Sequence, residues 1–480
     1  MSVSDLFTIA PLLVLAGAPI AVMLLIAFYR DHLLTAAVTA ITLLVVPVLL
    51  LLTWAAEPSQ VTPLVVMDGY ARFFIGLIAA GALAVALLSY GFINGIDDRR
   101  EEFYLLLLLA TLGSAVLAAS NHFASFFLGL ELLTVSLYAL IAYPHRLQNH
   151  VEAGLKYLIL AGGSAAFLLF GLALVYAVTG NMSFTVAATA QGQTWLSPRL
   201  LFAGWGLAMV GIGFKLAVVP FHLWTPDVYQ GAPAPVAAFV ATVSKGAMFA
   251  LLVRLFAPAE IHREMPLVLV FSLLAVASMV FGNVAALLQD NLKRILAYSS
   301  IAHIGYLLVA FLASPEGGAP AVAFYLVAYF VTMLGAFGVI TVLSSADKEA
   351  ERIADYQGLF WRRPWLGGIL TAALLSLAGI PLTAGFIGKF YLVLAGVNST
   401  LWMLVLVLVV SSAVGLFYYL RVVVALYMQP FDAAPLKLPS LSYGGGAVLA
   451  VLAFALIGLG IYPGPFISMI QTIIADAVLH

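Results

Sequence analysis

The 480-residue chain contains no cysteine, and only 9% of its residues are charged. Without a thiol the chain offers no thiolate metal site, no cysteine-held iron–sulfur cluster, no disulfide and no cysteine nucleophile. Soluble domains carry about a quarter charged residues. With 64% hydrophobic residues and a mean hydropathy of +1.12, this chain is not of that kind. Its net charge of −1 lacks the basic footprint of a nucleic-acid binder. The apolar runs show no strand-like alternation, which excludes an outer-membrane barrel. The leading residues MSVSD have no basic n-region, so the first apolar run is expected to remain as a span rather than act as a signal peptide.

What is present is a series of apolar windows, each about 20 residues long and sufficient to cross a bilayer once. About fourteen are expected, near 8–28, 33–54, 72–94, 103–119, 122–143, 154–178, 200–230, 234–256, 267–288, 295–314, 319–344, 365–395, 401–428 and 443–473. The fold class is therefore an all-α polytopic membrane protein forming a single membrane domain over 1–480. The spans suggest a three-helix segment over 1–100, a five-helix unit over 103–256, a second over 267–428 and a C-terminal helix over 443–473. Five crossings is an odd number, so two such units in tandem are expected to be inverted relative to each other. Short connections holding Arg30, Arg99, Arg100, Arg146, Lys293, Arg294, Lys348, Arg352, Arg362, Arg363 and Lys437 alternate with others holding only Arg72, Arg199 and Arg263, with Arg254 near a helix end. The basic set belongs inside, which puts both termini outside. The connections 55–69 and 179–199 are too short to fold alone and read as ordered caps. The longest inner connection, SADKEAERIADYQGLFWRRP, reads as a short amphipathic surface helix.

Of 21 acidic residues, only Glu131 lies mid-span. Lys293, Lys348 and Lys437 fall in inner loops, whereas Lys156, Lys215, Lys245 and Lys389 fall within apolar runs; no arginine is clearly mid-span. An ionisable group at a helix centre costs about 2.5–3.5 kcal/mol, which makes each a functional candidate. A buried amine can lose its proton near physiological pH, and an arginine effectively never does. Residues that must load and release protons are therefore Lys, Glu and His, the set found here. Against this stands a role for Glu131 in merely pairing with a lysine to fix packing. Lys215 and Lys245 are too deep to snorkel. Lys156 follows Glu152 by four residues and reads almost as well as an interfacial pair. The depth of Lys389 depends on the GIPLTAG stretch before it. His222 and His303 are lesser candidates, His303 sharing a helix face with Ser299. The Leu, Phe and Tyr residues at helical spacing read as packing or lipid-facing surface.

The stretch GFKLAVVPFHLWTPDVYQGAPAPV, from Gly213 to Val236, places Lys215 just before Pro220. Proline lacks an N–H and clashes with the carbonyl four residues earlier, so the helix must open there. Freed backbone groups at membrane depth need partners, and a wet pocket beside Lys215 is the expectation. The twelfth span repeats the arrangement in reverse, with Pro381 preceding Lys389. Two interrupted helices in corresponding positions mark a transport site, against the plainer alternative of a dry proline kink. Isolated titratable groups suit protons better than a large polar solute.

The blocks KLAVVPFHLWTPDVYQGAPAPV, FLGLELLTVSLYAL, LKRILAYSSIAHIGYLLVA and LAGIPLTAGFIGKFYLV resemble the antiporter-like membrane subunits of respiratory complex I, most closely the bacterial subunit N, or NADH dehydrogenase subunit 2, family. The resemblance covers nearly the whole chain. It implies fourteen helices in two inverted five-helix repeats with helices 7 and 12 discontinuous. It also implies a proton relay through Glu131, Lys215, Lys245 and Lys389, with Lys156 as a further counterpart. It places the chain in a bacterial inner membrane beside other membrane-arm subunits, including neighbouring antiporter-like ones. Flavin, iron–sulfur clusters and quinone would lie in partner subunits, with no cofactor or metal in this chain. The alternatives are a subunit of a multi-subunit cation/proton antiporter or membrane-bound hydrogenase, a non-catalytic scaffold, and an autonomous secondary transporter.

Overall fold

The computed structural model describes residues 3–54, 59–96, 99–143, 148–185, 197–257, 265–345, 349–429 and 442–478. Of the basic residues used to orient the chain, Arg146, Arg263, Lys348 and Lys437 lie outside these. In hydrocarbon every backbone N–H and C=O must be satisfied within the segment, and the long Leu-, Ala- and Val-rich runs do this as helices. After the short α1 (Val3–Thr8) come α2 (Ala10–Phe28), α3 (His32–Leu52), α4 (Gly69–Asn94), α5 (Glu101–Ala119), α6 (Phe123–Ile141), α7 (Gln148–Thr179) and α8 (Ser197–Leu216). A short α9 (Trp224–Gly231) leads into α10 (Ala234–Phe256), which holds a π-turn at Val240–Ser244. Then follow α11 (Met265–Leu287), α12 (Leu292–Phe311), α13 (Pro315–Leu343), the four-residue α14 (Leu359–Arg362), α15 (Pro364–Ala378), α16 (Ala384–Asn398), α17 (Trp402–Tyr427), α18 (Tyr443–Ile461) and α19 (Gly464–Val478). Side-chain caps mark several starts: Asp31, Asp68, Asn291, Thr383 and Ser442 each accept a backbone N–H of the helix they precede.

Among the described residues, 13 helices are long and apolar enough to cross a membrane. The two 15-residue helices α15 and α16 follow one another across the break 379–383 and together supply the length of one more. The only strands among the described residues form a two-stranded antiparallel hairpin, Ser59–Thr62 with Val65–Met67, which bridges to Ser120 through Val65.

Two expectations are corrected. The last span, 443–473, is not one helix: Pro463, which cannot donate to the helix before it, separates α18 from α19. Helix α19 turns Ile467, Ile470, Ile473 and Ile474 inward and packs along α4 and α13. The long connection at 345–364 is not an amphipathic surface helix either. Gly358, at φ 70°, splits it into a 3-10 turn at Ile353–Tyr356 and α14, and Tyr356 is fully buried with its hydroxyl on the Ala350 carbonyl.

Between helices in lipid, close packing and hydrogen bonds replace the hydrophobic effect as the source of cohesion. Helices α7 and α8 meet so closely that a Cβ on Gly171 would lie 2.5 Å from the Gly204 carbonyl oxygen. The apolar window of α10 is buried throughout, as is 89% of that of α12 and 83% of that of α13, against 28% for α7. Among these innermost helices, α10 carries Lys245, α12 carries Ser299, Ser300 and His303, and α13 carries Tyr325 and Tyr329.

Candidate proton-transfer site

Lys215 occupies the last turn of α8 and is 2% exposed. Its Nζ donates to Thr134 Oγ1 at 3.0 Å and to the Tyr157 hydroxyl at 2.8 Å, and lies 5.5 Å from the centroid of the Tyr157 ring. Thr134 stands one turn beyond Glu131 on α6, so the two face the same way. Glu131 interacts electrostatically with Lys215. The two form no ion pair, however, and Glu131 Oε1 is buried without a hydrogen-bond partner among the described residues. The amine thus rests on neutral hydroxyls with the carboxylate standing off.

The break after Lys215 runs through Ala217, at φ 62°, and the cis Val219–Pro220 bond to the start of α9. Its freed groups are met by protein: the Trp224 indole N–H donates to the Phe214 carbonyl at 2.8 Å, and Val219 N–H donates to Ser278 Oγ at 3.0 Å. The cavity beside it, about 320 Å³, is lined by apolar side chains including Phe214, Pro220, Phe221 and Trp224.

Lys245, 1% exposed, directly follows the π-turn of α10. Its Nζ donates to Ser300 Oγ at 2.7 Å and lies 5.5 Å from the Tyr229 ring centroid. Ser300 is a hub, receiving the Tyr329 hydroxyl at 2.7 Å and standing 3.3 Å from that of Tyr229. One turn further along α12, His303 joins the Tyr325 hydroxyl through Nδ1 at 2.7 Å and the Tyr419 hydroxyl through Nε2 at 3.3 Å. Tyr419 also bonds Ser299, so the two residues expected to share a face are linked through one phenol.

Lys389, 8% exposed, lies early in α16 and reaches back across the second break. Its Nζ donates to the Leu377 and Ala378 carbonyls at 2.7 and 3.0 Å and to Ser412 Oγ at 2.7 Å. The break, 379–383, includes Pro381 and bends at Gly379, φ 85°, where a Cβ would lie 2.9 Å from Lys389 Cδ. The amine is 5.4 Å from the Tyr306 ring, whose hydroxyl accepts from Asn283 Nδ2 at 2.9 Å. The Tyr418 hydroxyl in turn donates to Asn283 Oδ1 at 3.0 Å.

The structure thus buries Lys215, Lys245, His303 and Lys389 and leaves Glu131 half-buried, with Thr134 and Tyr157 against Lys215, Ser300 against Lys245, Tyr325 and Tyr419 against His303, and Ser412 against Lys389. It leaves two candidates aside. His222 packs edge-on against Phe281 at 4.5 Å, and its Nδ1 has no hydrogen-bond partner among the described residues. Lys156 is 46% exposed and pairs with Glu152 at 2.9 Å and Asp227 at 3.1 Å. Asp227 is also held by Arg294 at 2.9 Å, a surface network of modest energetic weight.

Two readings of the sequence need correction. Tyr157, Tyr229, Tyr306, Tyr325, Tyr329, Tyr418 and Tyr419 are buried hydrogen-bonding groups, not packing or lipid-facing surface. Lys293 is not a loop residue: it sits in the first turn of α12 with no exposed surface, paired with Glu349. Apolar periodicity marks the interior of a membrane bundle poorly.

A model of the NADH:quinone oxidoreductase/Mrp antiporter transmembrane family matches residues 120–415, which include Glu131, Lys215, Lys245, His303 and Lys389 and end just before Tyr418 and Tyr419. A chain of respiratory complex I from Thermus thermophilus is 36% identical, covering 95% of this chain and 98% of its own, with a TM-score of 0.82. A chain of the archaeal membrane-bound sulfane sulfur reductase is 24% identical over 100% of this chain and 98% of its own, with a TM-score of 0.83. One of the Mrp complex from Dietzia sp. DQ12-45-1b is 19% identical over 99% and 98%, with a TM-score of 0.86. These last two share the fold. With its broken helices and buried amines in place, the chain belongs to the NADH:quinone oxidoreductase/Mrp antiporter transmembrane family.

Proposed function

We propose that this chain is a proton-translocating subunit of the membrane arm of a complex I-type NADH:quinone oxidoreductase, of the subunit N kind, in a bacterial inner membrane with both termini on the periplasmic side. What favours this assembly over others of the family is the 36% identity, across 95% of the chain, to a chain of respiratory complex I. In this reading flavin, iron–sulfur clusters and quinone belong to partner subunits, and 103–256 and 267–428 are inverted units, each with one broken helix.

Glu131 sets the charge balance at Lys215. An ammonium with a carboxylate close by is favoured, and one left on neutral hydroxyls bears an uncompensated burial cost. As that balance shifts, Lys215 takes up or releases a proton. Lys245 carries it to the centre, and Ser300, the tyrosines and His303 lead toward Lys389 and the outer side. Moving one charge against 100 mV costs about 2.3 kcal/mol, so the drive must come from the redox partners, and the chain alone is not expected to pump.

A second reading, a subunit of a cation/proton antiporter or membrane-bound hydrogenase, is favoured by the breadth of the family, whose description names Mrp antiporters. Purifying the native assembly separates the two. Partners that oxidise NADH and reduce quinone are expected; an assembly without NADH oxidation would overturn the first reading.

A further inference from the structure

The joint between α9 and α10 holds a charge arrangement that the proton line does not use. Lys293 Nζ stands 2.5 Å from Glu349 Oε2, with side chains 0% and 5% exposed. The pair straddles the joint. Lys293 Nζ donates to the Ala232 carbonyl at 2.7 Å, and Glu349 Oε1 accepts from Ala234 N–H at 3.0 Å. On the other flank, His150 in the first turns of α7 meets the Gly231 carbonyl through Nδ1. The amine therefore faces the carbonyl end of α9 and the carboxylate faces the N–H end of α10, each where the helix dipole favours its charge. Pro233 and Pro235 have no N–H, which leaves Ala234 as the donor between them.

A buried ion pair stabilises poorly compared with apolar side chains, and its best-attested use is to fix a register. Here the register is that of two helices serving both lysines. Helix α9 presents Tyr229 beneath Lys245 on α10, and it presents Trp224 with its ring 5.0 Å from that of Tyr157, the hydroxyl partner of Lys215. A shift at the joint moves both sites at once.

Resting on the function proposed above, we propose that Lys293 and Glu349 are positioning residues that hold the α9–α10 joint so that protons pass between Lys215 and Lys245. The test uses the whole complex purified from its native membrane, carrying Glu349→Gln, Glu349→Asp or Lys293→Met, with Lys215→Ala as reference. Glu349→Gln keeps an acceptor for Ala234 N–H and removes only the charge. Three quantities are read: NADH oxidation with an artificial electron acceptor, proton-coupled quinone turnover, and the ratio of that turnover in H₂O to D₂O. The expected result is a loss of coupled turnover of about 10- to 100-fold in Glu349→Gln and Lys293→Met. Electron entry should be unchanged, the D₂O effect larger, and Glu349→Asp partly restored. If Glu349→Gln and Lys293→Met turn over normally while Lys215→Ala does not, the positioning role is overturned and the proton line stands. If Lys215→Ala also shows normal coupled turnover, the proposed function itself fails. Should all three variants at the pair lose the subunit from the complex, the pair is a structural staple and the positioning role is likewise overturned.

Discussion

At the first break the lysine precedes the interruption, and at the second it follows it. Lys215 reaches away from its own helix to hydroxyls on α6 and α7, while an indole and a serine meet the backbone groups that the break frees. Lys389 reaches back to the freed carbonyls themselves, those of Leu377 and Ala378 at the end of α15. A cation at a helix C-terminus sits in a fixed favourable field. A cation on rotatable hydroxyls, with a carboxylate at a distance, sits in a field that changes when a charge or a hydroxyl moves. Proline and lysine in opposite order thus yield an adjustable site at one break and an anchored one at the other.

The contrast is sharpened first at Lys215. Lys215→Ala should cost about 10²- to 10⁴-fold in coupled proton transfer, the usual range for removing a proton-transfer group, measured as quinone turnover in the assembled complex. Gly379→Ala comes next. A non-glycine residue in the left-handed region costs about 1–2 kcal/mol, and the added Cβ pushes on Lys389 Cδ at 2.9 Å. A loss of about tenfold in coupled turnover corresponds to about 1.4 kcal/mol, and a normal rate would show that Lys389 does not depend on the geometry of its break. Tyr157→Phe removes one of the two hydroxyls on Lys215, and a hydrogen bond to a charged group is worth about 1.5–3 kcal/mol. Because Thr134 remains, a loss of less than about tenfold is expected, with pumping per electron pair retained. The smallest effect belongs to Lys156→Ala, where an exposed network worth about 0–1 kcal/mol is trimmed and turnover should change by less than about twofold.

The helices and both breaks were legible in the sequence because they follow from rules that act locally: apolar length, Pro220 and Pro381, and ionisable residues where lipid forbids them. Helix α19 was less so, since the apolar run continues past Pro463 without a change in composition. The partners of the lysines were not legible. Thr134, Ser300 and Ser412 are ordinary helix residues until three-dimensional packing places them against an amine. The π-turn before Lys245 left no mark in VATVSK, whose residue types would serve equally in an ordinary helical turn. Lys293 misled for a related reason: at the end of a span, depth depends on the loop that folds over it, and here Glu349 does so.

The most direct test of the account is the number of protons moved per NADH oxidised by the assembled complex in sealed vesicles, with Glu131→Ala and Lys215→Ala each compared with the natural chain. The account predicts that both substitutions lower that number or stop coupled turnover while NADH oxidation by an artificial acceptor continues. An unchanged proton yield at an unchanged rate in both variants would contradict it.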